Sequence, residues 1–112
     1  PLFSGDDTLA LAQFSLGFTG SISIVGNVIP KEWKAFVDLA LKGDFIEARK
    51  AFFALHDLCL AMVLETNPQC VKYAVSLLDR CRPKMRLPLI EPSEENQRKV
   101  KEKVLIAELA WQ

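Results

Sequence analysis

The sequence predicts an α/β fold that turns wholly helical beyond Asn27, and two observations carry that prediction. Pro1-Leu2-Phe3-Ser4-Gly5-Asp6-Asp7 reads as a short apolar strand stopping at Gly5, a helix follows, and Gly20-Ser21-Ile22-Ser23-Ile24-Val25-Gly26-Asn27 reads as a second strand. Strand, helix and strand in that order make a β-α-β unit, whose strands are parallel. From Asn27 onward the apolar residues recur at helical spacing instead. Parallel sheets occur almost only with both faces covered, and two strands cannot make such a sheet alone. The chain also opens inside an apolar segment without an initiator Met. It is therefore expected to be the C-terminal piece of a larger α/β protein.

The elements follow in order. In Lys31 to Lys42, Trp33, Phe36, Val37, Ala40 and Leu41 keep the i, i+3, i+4, i+7 spacing of an amphipathic helix, with Pro30 suited to its first turn. Gly43 ends it in the left-handed conformation, and Asp44 with Glu47 three residues later is a capping-box signature for the next helix. That helix, about Phe45 to Leu64, carries Phe45, Ala48, Phe52, Leu55, Cys59 and Met62 on one stripe, with Phe53, Leu60 and Leu64 beside it. So wide an apolar surface predicts burial on more than one side. Thr66-Asn67-Pro68 breaks the chain, because a residue before proline is pushed out of the helical region. Helix resumes from about Pro68 to Asp79, with Val71, Ala74, Val75 and Leu78 inward and Lys72, Asp79 and Arg80 outward. Arg82 to Pro92, with three prolines, is predicted to be an extended surface loop. Ser93 caps a last helix with an acidic first turn and apolar positions at Val100, Val104, Leu105, Ala107 and Leu109.

Composition narrows the class of partner. With 112 residues, half of them hydrophobic, the chain is long enough for one domain with a real core. Fourteen basic residues balance fourteen acidic ones, so there is no electrostatic footprint for nucleic acid or an anionic membrane. A small molecule or another subunit is the expected partner. The longest apolar run, Leu58 to Leu64, falls well short of the roughly 18 to 20 residues of a membrane span. Cys59, Cys70 and Cys81 form no C-x-x-C pair and have no histidine cluster beside them, so no metal site is expected. An odd count in helical context points to reduced, buried thiols and a cytoplasmic setting.

Four blocks of sequence resemble one family. Ser4-Gly5-Asp6-Asp7, then Gly17-x-x-Gly20-x-Ile22-Ser23-x-x-x-Asn27, then Asn67-Pro68-x-x-Val71-Lys72, and finally Arg86-Leu87-Pro88-Leu89 with Ser93 resemble the C-terminal portion of the dihydrodipicolinate synthase family. They come in the family's order and at about its spacing, and together cover nearly the whole chain. The wider superfamily is that of pyruvate-dependent class I aldolases, which includes N-acetylneuraminate lyase. Cys70 stands where the family commonly has proline, and the Trp111-Gln112 ending has no counterpart in its pattern.

The resemblance implies a (β/α)8 barrel followed by a C-terminal helical extension. Residues 1–43 would be the last two β/α units, with Pro1 to Ser4 as the seventh strand and Gly20 to Val25 as the eighth; residues 44–112 would be the extension. It implies a Schiff-base lyase that condenses pyruvate with aspartate semialdehyde in the diaminopimelate route to lysine, acting as a homo-oligomer without a cofactor. Such chemistry needs a lysine at the open end of an apolar strand, where desolvation lowers its pKa, and no lysine here stands at one. The catalytic lysine and the proton-relay tyrosines come earlier in the family's pattern, so no catalytic residue is assigned and this chain alone is expected to be inert.

Two substrate-binding positions are implied. Gly5 matches one whose backbone faces the pocket, and Ile22 matches one whose main-chain carbonyl lies near the Schiff-base lysine. Asp6 and Asp7 read as helix-start caps rather than an acid–base pair, and His56-Asp57 as helix surface rather than a dyad, since neighbours in a helix point apart. Two alternatives remain open: a free-standing helical oligomerisation or interaction domain, and a fragment of another pyruvate aldolase such as N-acetylneuraminate lyase.

Overall fold

A computed structural model of the chain describes residues 1–110. Strands β1 (Phe3–Ser4) and β2 (Gly20–Ser21) pair in parallel, Phe3 opposite Gly20 and Ser4 opposite Ser21, and are joined by a 3-10 turn over Asp7–Leu9 and helix α1 (Ala10–Ser15). The predicted β-α-β unit is there, with shorter strands than the sequence suggested. The Ser4 carbonyl accepts the Ile22 N–H at 2.8 Å, but beyond it the backbone turns away from the ladder. The Asp7 carboxylate takes the N–H groups of Ile24 at 3.0 Å and Val25 at 2.7 Å, and draws Val25–Asn27 into a second 3-10 turn. Side-chain capture of backbone donors thus ends β2 four residues before the predicted boundary at Val25. At Gly20 a Cβ would lie 2.5 Å from the ring of Phe3, so a larger residue there would have to displace that half-exposed ring.

Helix α2 (Pro30–Leu41) starts with Pro30 in its first turn, where a missing N–H costs nothing, and buries Trp33, Phe36 and Ala40. It ends as predicted at Gly43, whose φ of 79° suits a residue without Cβ. Gly43 N–H reaches the Ala40 carbonyl and Asp44 N–H the Leu39 carbonyl, both at 3.0 Å, completing a Schellman motif. Asp44 caps helix α3 (Phe45–Ala61) by accepting the Glu47 N–H at 3.2 Å. α3 stops three residues short of Leu64; Val63 and Leu64 are exposed, so no packing extends it. Helix α4 (Gln69–Leu77) is likewise shorter than Pro68 to Asp79, because Asp79 adopts a left-handed φ of 55°. Ser93 caps helix α5 (Glu94–Ala110), accepting the Asn96 N–H at 3.4 Å.

The core is a stack of aromatic rings. Phe36, fully buried, meets Phe14 of α1 edge-on at 5.8 Å, Trp33 at 5.1 Å and Phe52 of α3 at 5.3 Å. α3 packs between α2 and α5, and α4 lies on α5. Val100, Val104 and Ala107 carry the buried face of α5, whereas Leu105 is exposed, contrary to the sequence reading. The Leu109 side chain and Trp111-Gln112 lie outside the described residues. Phe53, Leu60 and Leu64, predicted from the sequence to be covered, stand exposed, Phe53 and Leu60 with Ile46 on the outer side of α3 and Leu64 beyond its end. Their apolar surface is open to solvent in the single chain, because no element among the described residues packs over it.

In the 112-residue chain, Phe52→Ala is expected to cost about 3 to 5 kcal/mol, as for a buried aromatic, while Phe3→Ala, at a half-exposed ring, costs much less. Chemical denaturation of the two variants checks this, and the division fails if their losses are equal. Light scattering at micromolar concentration should show self-association, since Leu2, Phe3 and Ile22 and the outer side of α3 are exposed. A monodisperse monomer would contradict it.

Candidate functional site

Residues from three of the sequence blocks converge on one open cleft. Gly5 directly follows β1 and Ile22 directly follows β2, and in an α/β sheet the strand ends are where ligands bind. These two, with Ser23, Ile24 and Asn27, form one wall of a cleft of about 630 Å³. The other wall is α4 and its approach: Asn67, Pro68, Val71, Lys72 and Val75, with Cys81 at the end. Asn67, Val71 and Val75 recur every four residues, as do Pro68 and Lys72, so one side of the helix serves the cleft. The volume lies within the range of roughly 300 to 1,000 Å³ usual for small-ligand pockets.

The cleft is mostly apolar with a few polar groups. A Cβ built on Gly5 would meet nothing within 4 Å, so its backbone is unshielded by neighbouring side chains. Ile22 is three-quarters exposed. Asn27 is held by its Nδ2, which donates to the Ile24 carbonyl at 3.0 Å. Among the described residues Lys72 is the single charged side chain lining the cleft, which makes the site attractive to an anion. The sequence reading turned Lys72 outward; its four-residue step from Pro68 was the signal that places it here. Arg80 is exposed, as read from the sequence, and its Nη1 donates to the Val28 carbonyl at 3.2 Å.

Four polar residues support the walls. Asp6 is the cap, accepting the Thr8 N–H at 2.9 Å, while Asp7 is a buried tie rather than a cap. Burial pushes the Asp7 carboxyl above its ordinary range, against the opposing pull of the Val25 and Ile24 N–H groups. Glu65, just before Asn67, accepts the Ser93 N–H at 2.9 Å and the Asn96 Nδ2 at 2.7 Å through one oxygen. Gln69 Nε2 reaches the other oxygen at 3.3 Å and the Ile90 carbonyl at 3.0 Å. The Asn96 amide and the Ser93 N–H hold the Glu65 carboxyl below its ordinary range.

Other candidates fall away on geometry. His56 packs its ring on Phe52 at 5.3 Å, and Asp57 pairs with Lys103 at 3.1 Å, so the two form no dyad. Among the described residues no group of three or more His, Cys, Asp or Glu side chains is placed to hold a metal ion. Cys59 and Cys70 are buried free thiols, as expected, and burial pushes the Cys59 thiol up to about 12. Cys81 departs from expectation: it is exposed, with Sγ 3.6 Å from the Lys72 carbonyl. No described helix is long and apolar enough to cross a membrane.

The model of the dihydrodipicolinate synthetase family matches residues 1–107. The chain belongs to that family. The 4-hydroxy-tetrahydrodipicolinate synthase of Hydrogenobaculum sp. (strain Y04AAS1) is 46% identical over 101 residues, covering 90% of this chain and 35% of the relative. That of Aquifex aeolicus (strain VF5) is also 46% identical over 101 residues, covering 90% of this chain and 34% of the relative. The crystal structure of dihydrodipicolinate synthase from Aquifex aeolicus superposes with a TM-score of 0.93 at 44% identity, over 96% of this chain and 36% of that one. A second, from Thermotoga maritima, gives a TM-score of 0.92 at 30% identity over 96% and 36%. This member of the dihydrodipicolinate synthetase family thus spans about a third of the length of the curated relatives it matches. Its architecture is the C-terminal portion of a (β/α)8 barrel protein, the last strands with a helical extension.

Glu65 yields a pH prediction. Its folded pKa is depressed, so its stabilising contribution is present above the usual glutamate value near 4.5 and is lost as pH falls through the folded pKa. Glu65→Gln should therefore lower the Tm at neutral pH, and the gap to wild type should close on acidification. Thermal unfolding by circular dichroism at about pH 7 and about pH 3 reads this out; a gap that stays constant would show that the Glu65 charge is not what holds Ser93 and Asn96.

Proposed function

We propose that this chain is the part of a Schiff-base-forming lyase that walls its substrate cleft, in an enzyme condensing pyruvate with aspartate semialdehyde in the diaminopimelate route to lysine. The observation that carries the reading is the meeting of Gly5 and Ile22, at the ends of parallel strands, with Asn67 and Lys72 around one cleft. Family membership and relatives named 4-hydroxy-tetrahydrodipicolinate synthase favour this over N-acetylneuraminate lyase or a free-standing interaction domain. Residues 1–43 form the last two β/α units and residues 44–112 the extension. Gly5 and Ile22 contact substrate through backbone atoms. Both substrates carry a carboxylate, and Lys72 supplies the positive charge that draws them in. The Schiff-base lysine and the proton-relay tyrosines come from other parts of the enzyme, which requires no cofactor, works as a homo-oligomer and resides in the cytoplasm.

The division of labour has a direct test. Incubated with pyruvate and borohydride, the 112-residue chain should trap no covalent adduct, because Lys72 stands on a helix rather than at a strand end beside a proton relay. Intact-mass and peptide mapping check it. A stoichiometric adduct on Lys72 or any other lysine would overturn the assignment of the Schiff base to residues outside the chain.

A further inference from the structure

We propose that Asp7 is a positioning residue for the reaction, fixing the backbone at Gly5 and Ile22 by holding the N–H groups of Ile24 and Val25. The inference rests on the synthase reading of the cleft. Asp7 sits two residues beyond Gly5, and its N–H partners begin two residues beyond Ile22. Asp7 is buried, with 5% of the residue exposed, and a single oxygen, Oδ2, accepts from Ile24 at 3.0 Å and from Val25 at 2.7 Å. On the other side, the Ile22 N–H is held by the Ser4 carbonyl at 2.8 Å. The segments Ser4 to Asp7 and Ile22 to Val25 are thus closed into a frame, pinned by a ladder bond at one end and a carboxylate at the other. Gly5 and Ile22 both lie inside it.

A turn-ending role alone does not call for this arrangement. Asp6, next door, already caps the Asp7–Leu9 turn with an exposed carboxylate and little desolvation cost, so that turn does not need Asp7. Asp7 takes its oxygen into the interior, and two successive peptide N–H groups aimed at one atom set both peptide planes flanking Ile24. Its second oxygen, Oδ1, is buried with no partner. One acceptor oxygen is therefore what the frame uses, and an asparagine of the same shape can present one. An alanine leaves both N–H groups free to rotate, and with them the Ile22 segment; misplacing groups by about an ångström costs on the order of 100-fold in rate.

The test is made in the full-length synthase that carries this segment, at a temperature well below each variant's Tm, with active sites counted by borohydride-trapped pyruvate. Asp7→Asn should keep kcat per active site within roughly threefold of wild type, whereas Asp7→Ala should lose at least roughly tenfold in kcat with KM for pyruvate changed less than roughly threefold. A purely structural role would lower the Tm and the yield but leave kcat per counted site intact. Should Asp7→Ala fail to fold, Asp7→Glu, whose extra methylene displaces the acceptor, is read in its place and should show the same loss. The proposal is overturned if the alanine or glutamate variant keeps wild-type kcat, or if Asp7→Asn loses as much as they do. A wild-type enzyme that traps no pyruvate refutes the synthase reading itself; trapping with an unperturbed variant refutes only the role of Asp7.

Discussion

Everything in this chain is arranged around the burial of one ring. Phe36 has no exposed surface and meets a ring from α1, a ring of its own helix and a ring from α3. α1 belongs to the strand-bearing segment and α3 to the helical one, so Phe36 is the point where the two segments share a core. Aromatic pairs at these separations and tilts gain about 0.5 to 1.5 kcal/mol beyond the area they bury. The two-residue strands cannot stand without such support, because a ladder this short has too few hydrogen bonds to outweigh the ordering of its backbone. Packing of α1 against α2 and α3 supplies it from behind.

The cleft owes its form to the way the chain returns on itself. Its strand-end wall is made within the first twenty-seven residues, and its helical wall some forty residues later. Among the described residues neither wall is charged apart from Lys72, and apolar surface dominates, so Lys72 is the one charge an anion entering the cleft would meet. The pattern is a common one for binding sites: an apolar body with few, well-placed polar groups.

Much of this was legible in the residues. Helical spacing located α2 and α3, Gly43 and Asp44 marked the turn between them, and Ser93 marked the start of α5, because caps and periodicity are local signals. The extent of β2 was not legible: Gly20 to Val25 looks like a strand, and only the arrival of Asp7 from the far side of α1 shows why it stops at Ser21. Asp7 beside Asp6 carries no mark in the sequence to separate tie from cap. For Lys72, charge alone suggests a solvent-facing side chain, while its four-residue step from Pro68 marks the cleft side. Phe53 and Leu60 looked like core for the opposite reason, since apolarity says that a surface is covered and not by what.

The Glu65 junction has a mechanical meaning. One carboxylate ties the segment that enters α4 to the N-terminal turn of α5, and Gln69 adds a bond from the first turn of α4 to the Ile90 carbonyl. The α4 wall is therefore moored at its base, next to Asn67 and Pro68. It has no hinge there. Widening the cleft on this side means either breaking the two Glu65 bonds to Ser93 and Asn96 together with the Gln69–Ile90 bond, or swinging α4 and the start of α5 as one body against the strands.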